Sequence, residues 1–446
     1  MVKPKHAIAA FLIALLTASA AQAGPPTDLG RETLGANDGW GAFDGGVTGG
    51  ALAAPGQVYV VTNRSELIAA LNNGIASSTS PSNPSNEPKI IYVTGTIDAN
   101  VDDGGNPLSC ADYFRNGYTP EAFDAAFDPA VWGRVAPSGP LEQARLESRN
   151  AQQARVRIRP GSNTTIVGLG KGARLRGAWI DIRGSAAVPR TNIIIRNLTF
   201  EDTFDCFAEW APTDGSLGAW NALYDAISLR DTRNVWIDHN TFRDRTTADA
   251  GQPTRLGVLF QGHDGHLDVT NASDLVTVSW NRFLDHDKVM LIGSSDGATA
   301  DRGKLRVTLH HNLFQDVGQR VPRVRFGQVH VYNNLYVIGN PATYAYSWGV
   351  GIESAIYAEE NLFWPDRDVT PDRFISRLNG NAIFESGSYV KGQRGLRVTD
   401  IVAAYNAANE PDLGTDVGWT PSLFERIHDG RVAALLVELF AGPIFS

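Results

Sequence analysis

Cysteine is nearly absent: the chain of 446 residues holds two, Cys110 and Cys206. A fold of this length therefore cannot rest on a disulfide framework, and sequence alone does not show whether the two are close enough to pair. Long apolar runs are missing as well. The one candidate, "IAAFLIALLTASA" near the N-terminus, is too short to span a bilayer comfortably, and nothing later qualifies. With Lys3 and Lys5 before it and "AQA" ahead of Gly24, it reads as a signal peptide over residues 1–23, cleaved after Ala23, which implies secretion. Positive charge is in deficit. Lys+Arg 39 against Asp+Glu 48 gives a formal net charge of −9, and −9 − 2 = −11 once Lys3 and Lys5 leave with the leader. A secreted chain this acidic is a poor general partner for nucleic acid, so any contact with a polyanion must be local and built from placed cations. The H-E-x-x-H zinc motif is also missing.

What the sequence does have is repetition. Residues 24–60 are Gly-rich and carry no strong period, and "KIIYVTGTID" at 89–98 is the first clear strand pattern. Residues 110–155 have helical composition and spacing, which predicts an inserted helical segment. From residue 156 short β-rich runs recur. Five share an Asn, one spacer, then Phe or Tyr: Asn240, Asn281, Asn312, Asn334 and Asn361, at spacings of 41, 31, 22 and 27 residues. Leu198 and Phe200 fill the same two slots one cycle earlier. Asn tolerates a left-handed bend, and stacked asparagines can bond one another in a ladder with the aromatics stacked inside. That predicts an all-β parallel β-helix, in which no coil buries its apolar face alone and longer gaps are loops inserted at a corner. A β-sandwich or a propeller is the alternative, but propeller blades repeat at a steadier ~40–45 residues. Residues 365–446 lose the pattern and read as a C-terminal segment that packs on or caps the stack, within one domain over 24–446.

Three stretches stand out as candidate chemistry: Asp225 in "LYDAISLRD", Asp264 and Asp268 in "GHDGHLD", and "GQRVPRVRFG" at 318–327 with Lys288 one coil earlier. Coils about 4.8 Å apart bring such aspartates close enough to share a calcium ion, which suits carboxylates; as a metal signal this is weak, because aspartates around glycines are usually turn formers. His310 and His311 are adjacent in a strand and so expected on opposite faces, as structural residues. His263 and His286 flank the candidate site without an assigned task. A row of Lys288, Arg320 and Arg325 beside carboxylates suits a carboxylated polymer, since each arginine can grip a carboxylate bidentately. Arg323 is expected to pair with a neighbouring acid, and Pro322 to supply the bend that takes Arg320 out of strand alternation.

The stretches "NVWIDHNTF", "GHDGHLDVTNASDLVTVSWNRFLDHDKVMLIGSSD", "LRVTLHHNLF" and "QRVPRVRFGQVHVYNNLY" resemble the secreted pectate lyases of polysaccharide lyase family 1, most densely over 190–361. The resemblance implies a right-handed single-stranded parallel β-helix and calcium-dependent β-elimination on polygalacturonate, by a protein expected to be monomeric and to bind neither nucleic acid nor membrane. It places Asp225, Asp264 and Asp268 at the family's calcium acids, Lys288 and Arg325 at its substrate-binding cations, and Arg320 at its catalytic base. Some members carry a further calcium acid two residues before the position of Asp225; here Leu223 stands there. Pectin lyases, which take methylated substrate, lack the calcium acids kept here. Two other readings remain open: a polygalacturonase-type hydrolase using Asp264 and Asp268 as its carboxylate pair, and a non-catalytic carbohydrate-binding β-helix.

Overall fold

A computed structural model describes residues 28–444, so the leader lies outside the described residues. Parallel strands stack coil upon coil. One sheet of eight runs, in spatial order, from Ile375–Leu378 through Trp348–Gly351, Arg323–Val324, Leu291–Ile292, Leu267–Thr270, Ile227–Arg230 and Trp179–Arg183 to Arg157–Ile158. The other faces of the coil form a larger sheet of parallel strands, closed at its far end by one antiparallel pair. Register is kept across coils: Ile193, Val235, Val276, Val307, Val329, Ile356 and Ile383 stand in one column. All seven are fully buried. β-Branched side chains are stiff and fit a pleated surface, and a strand buried on the inner face of a coil needs them at alternate positions.

The predicted ladder is present. The Asn281 side-chain oxygen accepts from the Asn240 amide and side chain at 2.9 and 3.0 Å, and the Asn312 oxygen accepts from Asn281 at 2.9 and 3.1 Å. Asn334 and Asn361 continue the same pattern. Each side-chain amide also donates to a main-chain carbonyl, so buried polar groups at the turn are satisfied coil by coil. Leu198 stands at the head of the ladder and donates its amide to Asn240. Beside the ladder run the stacked rings of Phe200, Phe242, Phe283, Phe314, Tyr336 and Phe363. One detail differs from expectation. The left-handed residue is the one before each ladder asparagine: His239, Trp280, His311, Asn333 and Glu360 have φ between 51° and 55°. The ladder itself provides the partner bonds that hold these non-glycine residues in a conformation they otherwise disfavour.

The same bend brings His310 and His311 together. With φ of 54° at His311, strand alternation fails there, and the two Nδ1 atoms lie 2.9 Å apart. Burial and the neighbouring His310 hold His311 near a pKa of about 2, hence neutral. Helices occupy Pro120–Phe127, Pro129–Trp132 and Pro140–Val156. They pack Tyr118, Phe123 and Phe127 against Phe207, Trp210 and Trp220, and a Cys110–Cys206 disulfide fastens them there. Parallel strands continue past residue 365, through Ile383–Ser386 and Tyr389–Gly392. The helix Gly430–Phe440 lies along the flank, with Val437 on Leu313, Leu335 and Leu362. A helix the repeat pattern gave no hint of, Arg64–Leu71, puts Leu67, Ile68 and Leu71 into the first coil's core, capped by Asn63. No helix among the described residues is long and apolar enough to cross a membrane.

Because Asn281 serves two coils at once, Asn281→Ala orphans two donors of Asn240 and the Ile237 carbonyl. At about 1–3 kcal/mol per unsatisfied buried group, a loss of about 3 kcal/mol or more is expected. Asn240→Ala, at the ladder's head, should cost less, because the Asn240 oxygen accepts from the amide of Leu198, which has no side-chain donor. Denaturant midpoints of the two variants check the order.

Candidate active site

The insertions in the repeat fall at one corner, just before the strands of the eight-stranded sheet. Asp225 precedes Ile227–Arg230, Asp264 precedes Leu267–Thr270, Lys288 precedes Leu291–Ile292 and Arg320 precedes Arg323–Val324. The coil stack thus carries residues distant in sequence onto neighbouring coils. Lys288 pairs with Gln319 across one coil step, and the Met290 amide donates to the Arg320 carbonyl at 2.8 Å. Arg320 has φ of 59°, so the departure from strand alternation sits at Arg320 itself, ahead of the cis Val321–Pro322 bond.

The three aspartates converge in an open cleft of about 340 Å³. Asp225 is buried, and its Oδ1 accepts from the Gly265 amide at 2.9 Å. Its Oδ2 accepts from the Ser228 hydroxyl, which in turn accepts from the Trp179 indole N–H at 2.7 Å. Asp268 Oδ1 accepts from the Leu291 amide at 2.9 Å. Gly265 is wedged between them: a Cβ there would stand 2.4 Å from Asp268 Oδ1 and 3.0 Å from Asp225 Oδ1. Only a residue without a side chain lets both carboxylates close on the same point. Asp264 is the most open of the three, with Oδ1 3.9 Å from an Arg320 terminal nitrogen. Leu223 lines the same cleft and turns its side chain toward Val156, Trp179 and Tyr224.

Like charges crowded out of water raise one another's proton affinity. Burial, then the neighbouring Asp268 and Asp264, pushes Asp225 well above the ordinary carboxylate range. Burial, then Asp264, lifts Asp268 to about 7. Carboxylate oxygens from two coils, mutually repelling and held by amides that fix their direction, are a donor set suited to a hard divalent cation.

The cations differ from one another. Lys288 Nζ donates to Gln261 Oε1 at 3.1 Å. Arg325 is mostly buried, and its guanidinium donates to Asp296 at 2.6 Å and to the Gly293 carbonyl at 2.9 Å. Arg323 was expected to have the acid partner, yet among the described residues it makes no ion pair, and its Nε is buried without a hydrogen bond. Burial, then Arg325 beside it, lowers its pKa. The acid went to Arg325 instead, because Asp296 sits on the loop just past Gly293, the strand neighbour of Arg325.

Sequence reasoning left His263 and His286 idle and passed over Asp244. The three form a buried cluster. His263 Nδ1 and Nε2 face the carbonyls of Thr203 and Thr247 at 2.7 and 2.8 Å. His286 donates to Asp244 at 2.5 Å and to the Asp264 carbonyl at 2.8 Å. Burial alone would depress His286; the Asp244 carboxylate outweighs it and lifts the ring to about 9. The ring nitrogens are committed, so the cluster serves as a clamp on the Asp264 loop. Its sequence signal was the one-coil offset: Asp244 lies 42 residues before His286, close to the ladder spacing there.

Without metal, the folded protein keeps protons on Asp225 and Asp268 that the unfolded chain releases near pH 4. The unfolded state then binds fewer protons between about pH 4 and 7, so stability falls as pH rises through that window. Chelator-treated protein should melt lower at pH 8 than at pH 5, and Asp268→Asn should flatten the difference. Identical profiles for the two proteins would overturn this account of the acids.

Known proteins resemble this chain along nearly its whole length. The pectate lyase family model matches residues 138–400. A pectate lyase of Bacillus subtilis (strain 168) is 42% identical over 423 residues, covering 94% of each chain. Pectate lyase E of Dickeya dadantii (strain 3937) is 36% identical over 87% of this chain and 83% of its own. Among solved structures, a thermostable pectate lyase superposes with a TM-score of 0.89 at 45% identity, over 94% of this chain and 99% of its own. A pectate lyase bound to a hexasaccharide gives 0.85 at 41%, again over 94% and 99%. The chain belongs to the pectate lyase family.

Proposed function

We propose that the protein is a calcium-dependent pectate lyase, exported by its leader, that cleaves α-1,4-polygalacturonate by β-elimination to 4,5-unsaturated oligogalacturonides. The observation that carries this reading is the corner geometry: Arg320 stands 3.9 Å from Asp264, one coil step from Lys288, beside two further acids. A hydrolase needs a pair of carboxylates and gives such a cation row no task.

Asp225, Asp264 and Asp268 are the residues that would hold calcium. When bound, the ion supplies positive charge that draws electron density from a uronate carboxylate. Leu223 leaves the set one acid short of the family members that carry a fourth. The chemistry otherwise belongs to the cations. Lys288 and Arg325 bind the carboxylate of the sugar whose C5–H is to be broken, and the charge that develops on C5 delocalises into that carboxylate, where they stabilise it. Arg320 takes the C5 proton. The electron pair of C5–H becomes the C4–C5 double bond, the C4–O bond breaks, and the leaving oxygen takes a proton from water. A guanidinium holds its proton at neutral pH, so the competent form is scarce and turnover should rise toward alkaline pH.

The product has a conjugated, ultraviolet-absorbing end that hydrolysis does not generate. Incubation with polygalacturonate and calcium should give a steady absorbance rise that a chelator abolishes. Reducing sugar released with no absorbance rise would mean hydrolysis and would sink the lyase reading. Arg320→Ala should lower kcat by about 10²–10⁴ while the variant keeps its melting temperature and still binds oligogalacturonate. Equal loss of binding and turnover would instead make Arg320 a substrate-binding residue.

A further inference from the structure

The strand column that carries Arg325 does not end at the aspartates. The pairings place Arg183 beside Arg230 and Arg230 beside Thr270. Carried one residue beyond the paired Val269, Ile292 and Val324, the same register puts Thr270 beside Gly293 and Gly293 beside Arg325. Three strand steps, about 14 Å, therefore separate Arg230 from Arg325 on one face of the sheet. Arg183 and Arg230 wall the same cleft as Asp225, Asp264 and Asp268, on the side away from Arg320.

Arg230 is half-buried, and its guanidinium carbon lies 5.4 Å from the centre of the Trp179 ring. Trp179 is itself fixed by its bond to Ser228 and by stacking on Tyr224 at 5.3 Å. Among the described residues the Arg230 guanidinium has no hydrogen bond and no ion pair. Arg183 leans toward the buried Asp181 at 3.6 Å, and Asp231, the other acid on this wall, is in the field of Arg183. An arginine oriented by an aromatic face, with its donors free in a solvent-open cleft, is set to receive a planar anion.

We propose that Arg230, with Arg183 beside it, forms a distal site for a uronate carboxylate, so that an acidic polymer runs along the coil axis from Arg325, past the metal-binding acids, to Arg230. This rests on the substrate class proposed above and adds the direction of the chain and a length requirement: only an oligomer of several sugars reaches both ends.

The test uses the full chain and two oligogalacturonates, a trimer and a hexamer, at saturating calcium. Arg230→Gln should raise KM for the hexamer about tenfold more than for the trimer, the scale of one lost charge-assisted contact. Arg230→Lys, which keeps the charge but not the fork, should recover part of the loss and guards against misfolding. Calorimetric binding of the hexamer to Arg320→Ala, with and without Arg230→Gln, should show the same factor without any turnover. Arg230 also favours the ionised forms of Asp225 and Asp268, so a purely electrostatic role predicts a shifted calcium requirement with unchanged dependence on length. That outcome, or equal effects on trimer and hexamer, overturns the proposal. Binding of the hexamer through Arg230 without any ultraviolet product would leave this site standing and remove the lyase reading.

Discussion

In-register stacking of parallel coils is the constraint on which everything else depends. Strand side chains alternate faces with a period of two, so a slip of one residue would send Asp268 into the core and Val269 into the cleft. The asparagine ladder prevents that slip. Each ladder residue bonds the main chain of the preceding coil and the side chain of the next. The coil's register is thereby set at a corner where nothing chemical happens. The aromatic stack beside it, with rings 4.4–5.1 Å apart, adds shape to the same restraint. Chemistry is then free to occupy the opposite corner, where the loops vary in length.

That corner holds an arrangement the fold would not choose for stability. Two buried carboxylates face one another across Gly265, and Arg323 lies against Arg325 with an unbonded Nε. Burying charge without a partner is costly. The costs are partly offset by neutral donors aimed at the acids: the amides of Gly265 and Leu291 and the hydroxyl of Ser228. These donors orient the oxygens without cancelling their charge, so attraction for a cation survives. On the other wall, Asp296 holds Arg325 through Nε and the Gly293 carbonyl holds a second arm of the guanidinium. The acids and arginines are kept apart by coil spacing, which stops them from collapsing into ordinary salt bridges. Among the described residues, the ion contact of Asp225, Asp264 and Asp268 with the arginines is that of Asp264 with Arg320, and it is long.

Much of this was legible in the sequence, because a β-helix writes its architecture as a period. The five asparagines gave the coil, and the coil gave the neighbourhood of Asp225, Asp264, Lys288 and Arg320. What the period could not carry was conformation at single residues and contacts made by non-repeating segments. The left-handed residue sits before the asparagine, and no composition rule marks His239 or Trp280 for that role. His310 and His311 met because alternation fails at that same bend. The acid expected beside Arg323 pairs with Arg325 instead, because the choice depends on where one loop acid, Asp296, points. The Cys110–Cys206 bond and the helix Arg64–Leu71 belong to parts of the chain that obey no repeat.

The His263–Asp244–His286 cluster completes the logic of the corner. The loop bearing Asp264 is long, follows no ladder of its own, and would wander if only its ends were held. The rings of His263 and His286 tie it to Thr203, Thr247 and the Asp264 main chain, and Asp244 faces both rings. His266, buried and stacked on His286 at 3.8 Å, is held neutral chiefly by burial and then by its charged neighbour. The clamp grips the backbone of Asp264 and leaves its carboxylate free. A site built from several coils thus needs two kinds of order: the ladder fixes which residues are neighbours, and the buried histidines fix where the loop between them stands.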